Sequence, residues 1–158
     1  MKMITIEEHI THDEDLTKMM QSPDDESDRD RMKFFQEKAT VDGKLTDIEE
    51  FRLPYMDNTG IDIQILSYIN LASGMLECDE RTNSCIRGND FLKQQIDKHP
   101  DRFLGFTSLP LWDVEASCKE LERCVKDYGF KGALVQGKFD GHLLMRKNFS
   151  QFFKKQLN

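Results

Sequence analysis

Met3-Ile4-Thr5-Ile6-Glu7-Glu8-His9-Ile10-Thr11-His12 is the stretch on which the reading of this chain turns. Met3-Ile4-Thr5-Ile6 is the only strand-like run in the first forty residues, and Glu7 and His9 stand two apart at its end. Side chains at i and i+2 of a strand point to one face, so a carboxylate and an imidazole are expected to converge at the strand's C-terminal end. Both are ordinary ligands for a divalent metal. The turn that follows, residues 7–12, contains no glycine.

Working outward, the next thirty residues are polar, with residues 32–38 read as a short helix or ordered lid piece. Thr46 and Glu49 have capping-box spacing, which predicts a helix with Ile48, Phe51 and Tyr55 on one face. Pro54 sits awkwardly in that helix, because inside a helix it deletes one hydrogen bond. Asp57-Asn58-Thr59-Gly60 ends the element, and residues 61–68 alternate as a strand. A second helix is expected over 80–98, with Ile86, Leu92 and Ile96 in the core and Gly88 as a weak point. His99-Pro100 stops it. Residues 102–109 read as a third strand. Asp113 caps a third helix with Val114, Leu121, Val125 and Tyr128 inward and Gly129 at its end. A fourth strand over 132–136 and a last short helix over 148–156 complete the pattern.

Strand and helix thus alternate four times, with connections long enough to require parallel strands. An open doubly wound sheet and a (β/α)8 barrel both fit. The open sheet usually carries a glycine-rich first turn, which residues 7–12 lack. A barrel with a metal site at the C-terminal ends of its strands suits them better. The expected fold is therefore α/β, with (β/α) repeats forming roughly the first half of a TIM-type barrel. It is a single incomplete domain, cut short after about four strands.

Composition narrows the function. At 158 residues, with 38% hydrophobic and 9% aromatic residues, the chain reads as one domain with a lean core. The net charge is −7, and most of it lies between Asp13 and Asp30, where eight acidic residues face only Lys18 and Arg29. Residues 13–30 are expected to be a solvated flexible segment or an acidic lid. No basic patch exists to neutralise phosphates, which argues against nucleic acid. Cys78, Cys85, Cys118 and Cys124 match neither a CxxC redox pair nor a zinc knuckle, so reduced thiols in a cytoplasmic protein are expected. No apolar run is long enough for a signal peptide or a membrane span.

A family resemblance joins these pieces. Ile6-Glu7-Glu8-His9, the run from Leu45 through Phe51-Arg52-Leu53-Pro54 to Asp57, and Ile65-Leu66-Ser67-Tyr68 occur in that order. Asn89-Asp90, Pro100-Asp101-Arg102-Phe103, Glu120-Leu121-Glu122-Arg123-Cys124-Val125 and residues 128–135 follow. Together they resemble the amidohydrolase superfamily, in the branch of aromatic-acid decarboxylases acting on γ-resorcylate, 2,3-dihydroxybenzoate and aminocarboxymuconate semialdehyde. The resemblance implies a metal-dependent barrel enzyme in which Glu7 and His9 bind zinc or manganese. The metal would orient a small aromatic carboxylic acid for protonation at the carbon that loses carbon dioxide. Relatives instead hydrolyse amides or lactones. The resemblance implies further ligands, a histidine near the fifth strand and an aspartate at the eighth, in the second half of such a barrel, which this sequence does not include. It implies proton-transfer groups in that half as well.

The remaining candidates are weaker. Glu8 should point away from Glu7 and His9. His12 reads as a solvated loop residue, His99 as a helix-end residue, and His142 as an exposed turn residue. Asn70 and Trp112 follow the second and third strands at the end where barrels place their sites, and are candidate substrate contacts. Two alternatives to an enzyme stand beside this reading. One is a non-catalytic half-barrel serving as a structural module. The other is a half-barrel that pairs with itself as a homodimer, bringing two Glu7–His9 sets face to face.

Overall fold

The computed structural model describes residues 1–12, 14, 45–69 and 78–135, together with the backbone of 138–139 and 142–143. The expectations for the rest of the acidic segment, residues 32–38, Asn70, Gln136 and the helix over 148–156 fall outside the described residues. Three strands, β1 (Ile4–Ile10), β2 (Ile63–Tyr68) and β3 (Phe103–Phe106), form a parallel sheet in the order β1-β2-β3. Helices α1 (Arg52–Thr59) and α2 (Cys78–Ile96) lie in the two crossovers, and α3 (Val114–Lys126) follows β3. Sequential parallel strands need such crossovers, so the alternation is that of an α/β fold.

The first strand is longer than its apolar run suggests, reaching through Glu7 and His9 to Ile10. Partners across the pair step from Thr5↔Gln64 to Glu8↔Leu66, so β1 carries one extra residue there. Such an insertion reverses which face each later side chain takes. Glu8 and Ile10 consequently share the face of Leu66 and Tyr68, whereas His9 stands beside Ser67 on the other. Leu66, Tyr68 and Ile10 pack with Ile48 and Met56 into the main core, joined by Leu92, Ile96 and Phe103.

The capping box at Thr46 and Glu49 does not start a helix. Residues 45–50 form turns, in which the Asp47 carboxylate accepts from the backbone N–H groups of Glu49 (3.3 Å) and Phe51 (2.8 Å). Helix α1 begins at Arg52, which places Pro54 in its first turn, where an N–H has no intrahelical partner to lose. The proline is therefore well placed. Only Ile48 of the expected apolar face is buried, while Phe51 and Tyr55 are half exposed and Met56 takes the core position. Gly60, at φ 73°, ends α1 as read.

Gly88 is no weakness of α2. A Cβ built there would lie 2.2 Å from Cδ1 of the Tyr68 ring, so the glycine lets helix and strand close on each other. Ile96 and Leu92 are buried, but Ile86 only partly. Asp113 caps α3, its carboxylate accepting from Ala116 N–H at 2.9 Å. The buried face of α3 is Ser117, Cys118, Glu120 and Cys124, and Val125 is exposed. The reason is polar. Asn89 donates to Glu120 Oε1 (2.7 Å), and its amide brackets Ser108, accepting from the N–H (2.8 Å) and donating to the carbonyl (2.9 Å). Arg123 grips the Glu120 carboxylate through Nε (2.8 Å) and Nη2 (2.7 Å) and reaches Asp90 at 2.7 Å. This set turns α3 to present Glu120 rather than Val125.

The expected fourth strand is reduced to one parallel bridge, Thr107↔Ala133, beside Gly132 at φ 145°. That glycine leaves regular strand geometry, so the ladder does not extend among the described residues. Beyond it, β4 (Lys138–Phe139) and β5 (His142–Leu143) pair antiparallel, which puts His142 in a ribbon rather than a turn.

Gly88→Ala tests the packing argument. Helix propensity alone would stabilise by about 1 kcal/mol. The clash with Tyr68 should instead destabilise by roughly 1–3 kcal/mol, read as a lower urea midpoint.

Candidate functional site

The site is built where β1 and β2 run side by side. His9 and Ser67 are register partners, and Ser67 Oγ lies 2.7 Å from His9 Nδ1. Ser67 Oγ is also 3.4 Å from the carbonyl oxygen of Glu8. The His9 ring is half buried, and loss of solvent lowers its pKa below the ordinary value. Glu7 is the strongest opposing influence, followed by Glu8, while Arg52 adds to the lowering. Burial thus favours the neutral imidazole, the form that binds a metal. Its Nε2 has no hydrogen bond among the described residues.

Glu7 is exposed, and it falls within the irregular step of β1. Glu7 and His9 line a cleft of about 540 Å³ that also includes Glu8, Arg52 and Gln64, with Phe51 and Tyr55. Among the described residues, no group of three or more His, Cys, Asp or Glu side chains gathers to hold a metal. Glu7 and His9 supply an oxygen and a nitrogen donor, and these fit part of a divalent site.

Two residues that sequence reasoning passed over position His9. Arg52 Nη2 donates to the carbonyl of His9 (2.8 Å), and Nη1 reaches Gln64 Oε1 (3.3 Å) and Glu8 Oε2 (3.4 Å). Glu8 is thus paired with Arg52 on the face of Leu66, whereas His9 shares the face of Ser67. The signal for Arg52 was available: it is the only basic residue in the run 45–57. For Ser67 it was a hydroxyl inside the apolar run Ile65-Leu66-Ser67-Tyr68.

The other histidines are held elsewhere. His12 is not a free loop residue: its ring meets Phe91 edge-on at 4.9 Å, and its Nδ1 accepts from Glu14 N–H at 3.2 Å. His99 contacts Glu49 at 3.0 Å, which with Lys98 pulls the Glu49 carboxyl below its ordinary range. Trp112 donates its indole N–H to Thr82 at 3.0 Å, and the Arg81 guanidinium lies 5.4 Å from its ring centre. Cys85, Cys118 and Cys124 are buried free thiols, and burial pushes Cys124 up to about 12.

Comparison with known proteins agrees with this frame. The amidohydrolase family matches residues 14–150. The chain belongs to that family. A γ-resorcylate decarboxylase from Polaromonas sp. is 46% identical over 95 residues, covering 60% of this chain and 29% of its own length. The crystal structure of a dihydroxybenzoic acid decarboxylase from Polaromonas sp., with bound manganese and 2-nitroresorcinol, superposes with a TM-score of 0.76 at 32% identity. It covers 97% of this chain and 45% of its own. A 5-carboxyvanillate decarboxylase from Novosphingobium aromaticivorans, also with manganese, gives a TM-score of 0.84 at 28% identity, over 99% of this chain and 48% of its own. The chain therefore spans less than half the length of the relatives it matches. The family match begins after Glu7 and His9, so that pair rests on its geometry. No helix among the described residues is long and apolar enough to cross a membrane.

Arg52→Lys should lower stability by roughly 1–3 kcal/mol, because one ammonium cannot reproduce a planar fork that serves three acceptors. Urea unfolding compared with the wild type measures it.

Proposed function

We propose that this chain forms the first strands of a (β/α)8 barrel enzyme that decarboxylates a small hydroxylated aromatic carboxylic acid. In this reading residues 1–158 are one incomplete barrel domain, and Glu7 and His9 are its first two ligands for zinc or manganese. The observation that carries it is the setting of His9: its ring is held at Nδ1 by Ser67 at 2.7 Å, and with Glu7 it lines one cleft at the end of β1. Manganese and aromatic ligands in the related decarboxylases support the choice of chemistry.

When bound, the metal supplies Lewis-acid polarisation and a template for the substrate's carboxylate and neighbouring hydroxyl. Glu7 brings negative charge that offsets the cation, and His9 a neutral nitrogen. Arg52 holds the His9 backbone so that the ring cannot drift along the strand. Asn70, just past β2, and Trp112, past β3, are proposed to border the substrate at the C-terminal ends of the strands. Because the matched relatives are more than twice as long, the other ligands and the proton-transfer groups are assigned to the rest of such a barrel.

A second reading has its own support. Ile4, Ile6, Phe51 and Tyr55 are 49%, 57%, 50% and 59% exposed, around a strand at the sheet's edge. An open edge bordered by apolar groups is a template for another chain. In this second reading the edge serves association with a second copy, and the chain acts as a non-catalytic structural module.

Metal content and mass, measured together on protein purified without chelator, separate the two. The enzyme reading expects about one zinc or manganese per chain or per dimer, lost in Glu7→Gln and His9→Ala with the circular dichroism unchanged. It also expects turnover of 2,6-dihydroxybenzoate. A metal-free dimer without turnover would leave the structural module standing instead.

A further inference from the structure

We infer that Ser67 is the positioning residue that selects the tautomer of His9, leaving the Nε2 lone pair outward for a metal. The inference deepens the metal reading above and rests on it for its functional meaning, though not for its structural content. Three observations carry it. First, Ser67 is the register partner of His9 on β2, so the two side chains leave adjacent backbones on the same face. Second, Ser67 Oγ lies 2.7 Å from His9 Nδ1, and Ser67 is only 3% exposed, so water does not compete for the contact. Third, the same hydroxyl reaches the Glu8 carbonyl at 3.4 Å, an oxygen that can only accept.

In the arrangement inferred here, Ser67 Oγ accepts from Nδ1–H at 2.7 Å and turns its own proton toward the longer 3.4 Å contact with Glu8 O. Nδ1 therefore carries the ring proton, and Nε2 carries the lone pair. A metal-binding histidine commonly has its second nitrogen tied in this way, usually to a carboxylate, a backbone carbonyl or water. Here a buried hydroxyl does it, and it is in turn oriented by the backbone of the residue preceding the histidine. The Glu8 carbonyl is itself held in place through the β1–β2 pairing, while Arg52 secures the next carbonyl along, that of His9. The ring is thus set by the two strands before any ion arrives.

The test uses the full chain stripped of metal, with ¹⁵N-detected ring spectra of His9 and zinc affinity from competition with a coloured chelator. In the wild type, His9 should be protonated at Nδ1. Ser67→Ala should move the ring toward the Nε2-protonated form and weaken zinc binding by roughly 10- to 100-fold. Ser67→Thr, which keeps the hydroxyl, should restore both, and this guards against a merely misfolded alanine variant. An Nε2-protonated wild-type ring would overturn the inference. So would an alanine variant with an unchanged tautomer, or with a changed tautomer and unaltered zinc affinity. If the wild type binds no zinc but shows the Ser67-dependent tautomer, the assignment of Ser67 holds and the metal reading fails.

Discussion

The guanidinium of Arg52 is the interaction on which this end of the molecule depends. It is nearly buried, and three acceptors from two strands meet it: the His9 carbonyl, Gln64 and Glu8. Burial pulls its pKa down, and Glu8 and Asp47 pull it back. A guanidinium does not give up its proton in a protein, so the strand ends must keep supplying acceptors. That requirement docks α1 against β1 and β2. It also explains why the extra residue in β1 is tolerated: the shifted register delivers Glu8 to Arg52 on one face and His9 to Ser67 on the other.

A second polar set does similar work for the other half of the sheet. Asn89 on α2 satisfies both backbone groups of Ser108, just past β3, and its amide is in turn bound by Glu120 on α3. Arg123 completes the set with a two-point contact to Glu120 and a contact to Asp90. Glu120 is the buried member of this set, and its carboxylate depends on Asn89 and Arg123 for the partners that water would otherwise supply. The segment leading from β3 to Trp112 is therefore anchored from below by two helices. The polar motifs at 89–90 and 120–123 are structural, and they hold the strand ends where a barrel enzyme would place its chemistry.

Much of this could be read from residues alone where the cause is local. Asp113 caps α3 because its side chain meets an N–H three residues on, and Gly60 ends α1 because it adopts a positive φ at little cost. Glu7 and His9 were visible as a carboxylate and an imidazole near a strand end, where the structure places them. Other readings failed for non-local reasons. Thr46 and Glu49 had the right spacing, but Asp47 took the N–H groups of that turn. Val125 had the right periodicity, but the partners of Glu120 turned the helix away from it. Gly88 looked like a flaw until Tyr68 was found against it.

By itself, the sequence determined the alternation of strand and helix, the parallel sheet that long crossovers impose, and the placing of a carboxylate and an imidazole two residues apart near the end of the first strand. Those follow from periodicity, caps and side-chain chemistry, which act over a few residues. The tertiary structure alone decided the register of β1 on β2, and with it the faces of Glu8 and His9. It also decided the hydroxyl at His9 Nδ1 and the burial that lowers the pKa of the ring. Ser67 lies 58 residues from His9, and Arg52 lies 43 from the same residue. No local pattern encodes contacts at that separation, because only the pairing of strands and the docking of α1 bring those atoms together.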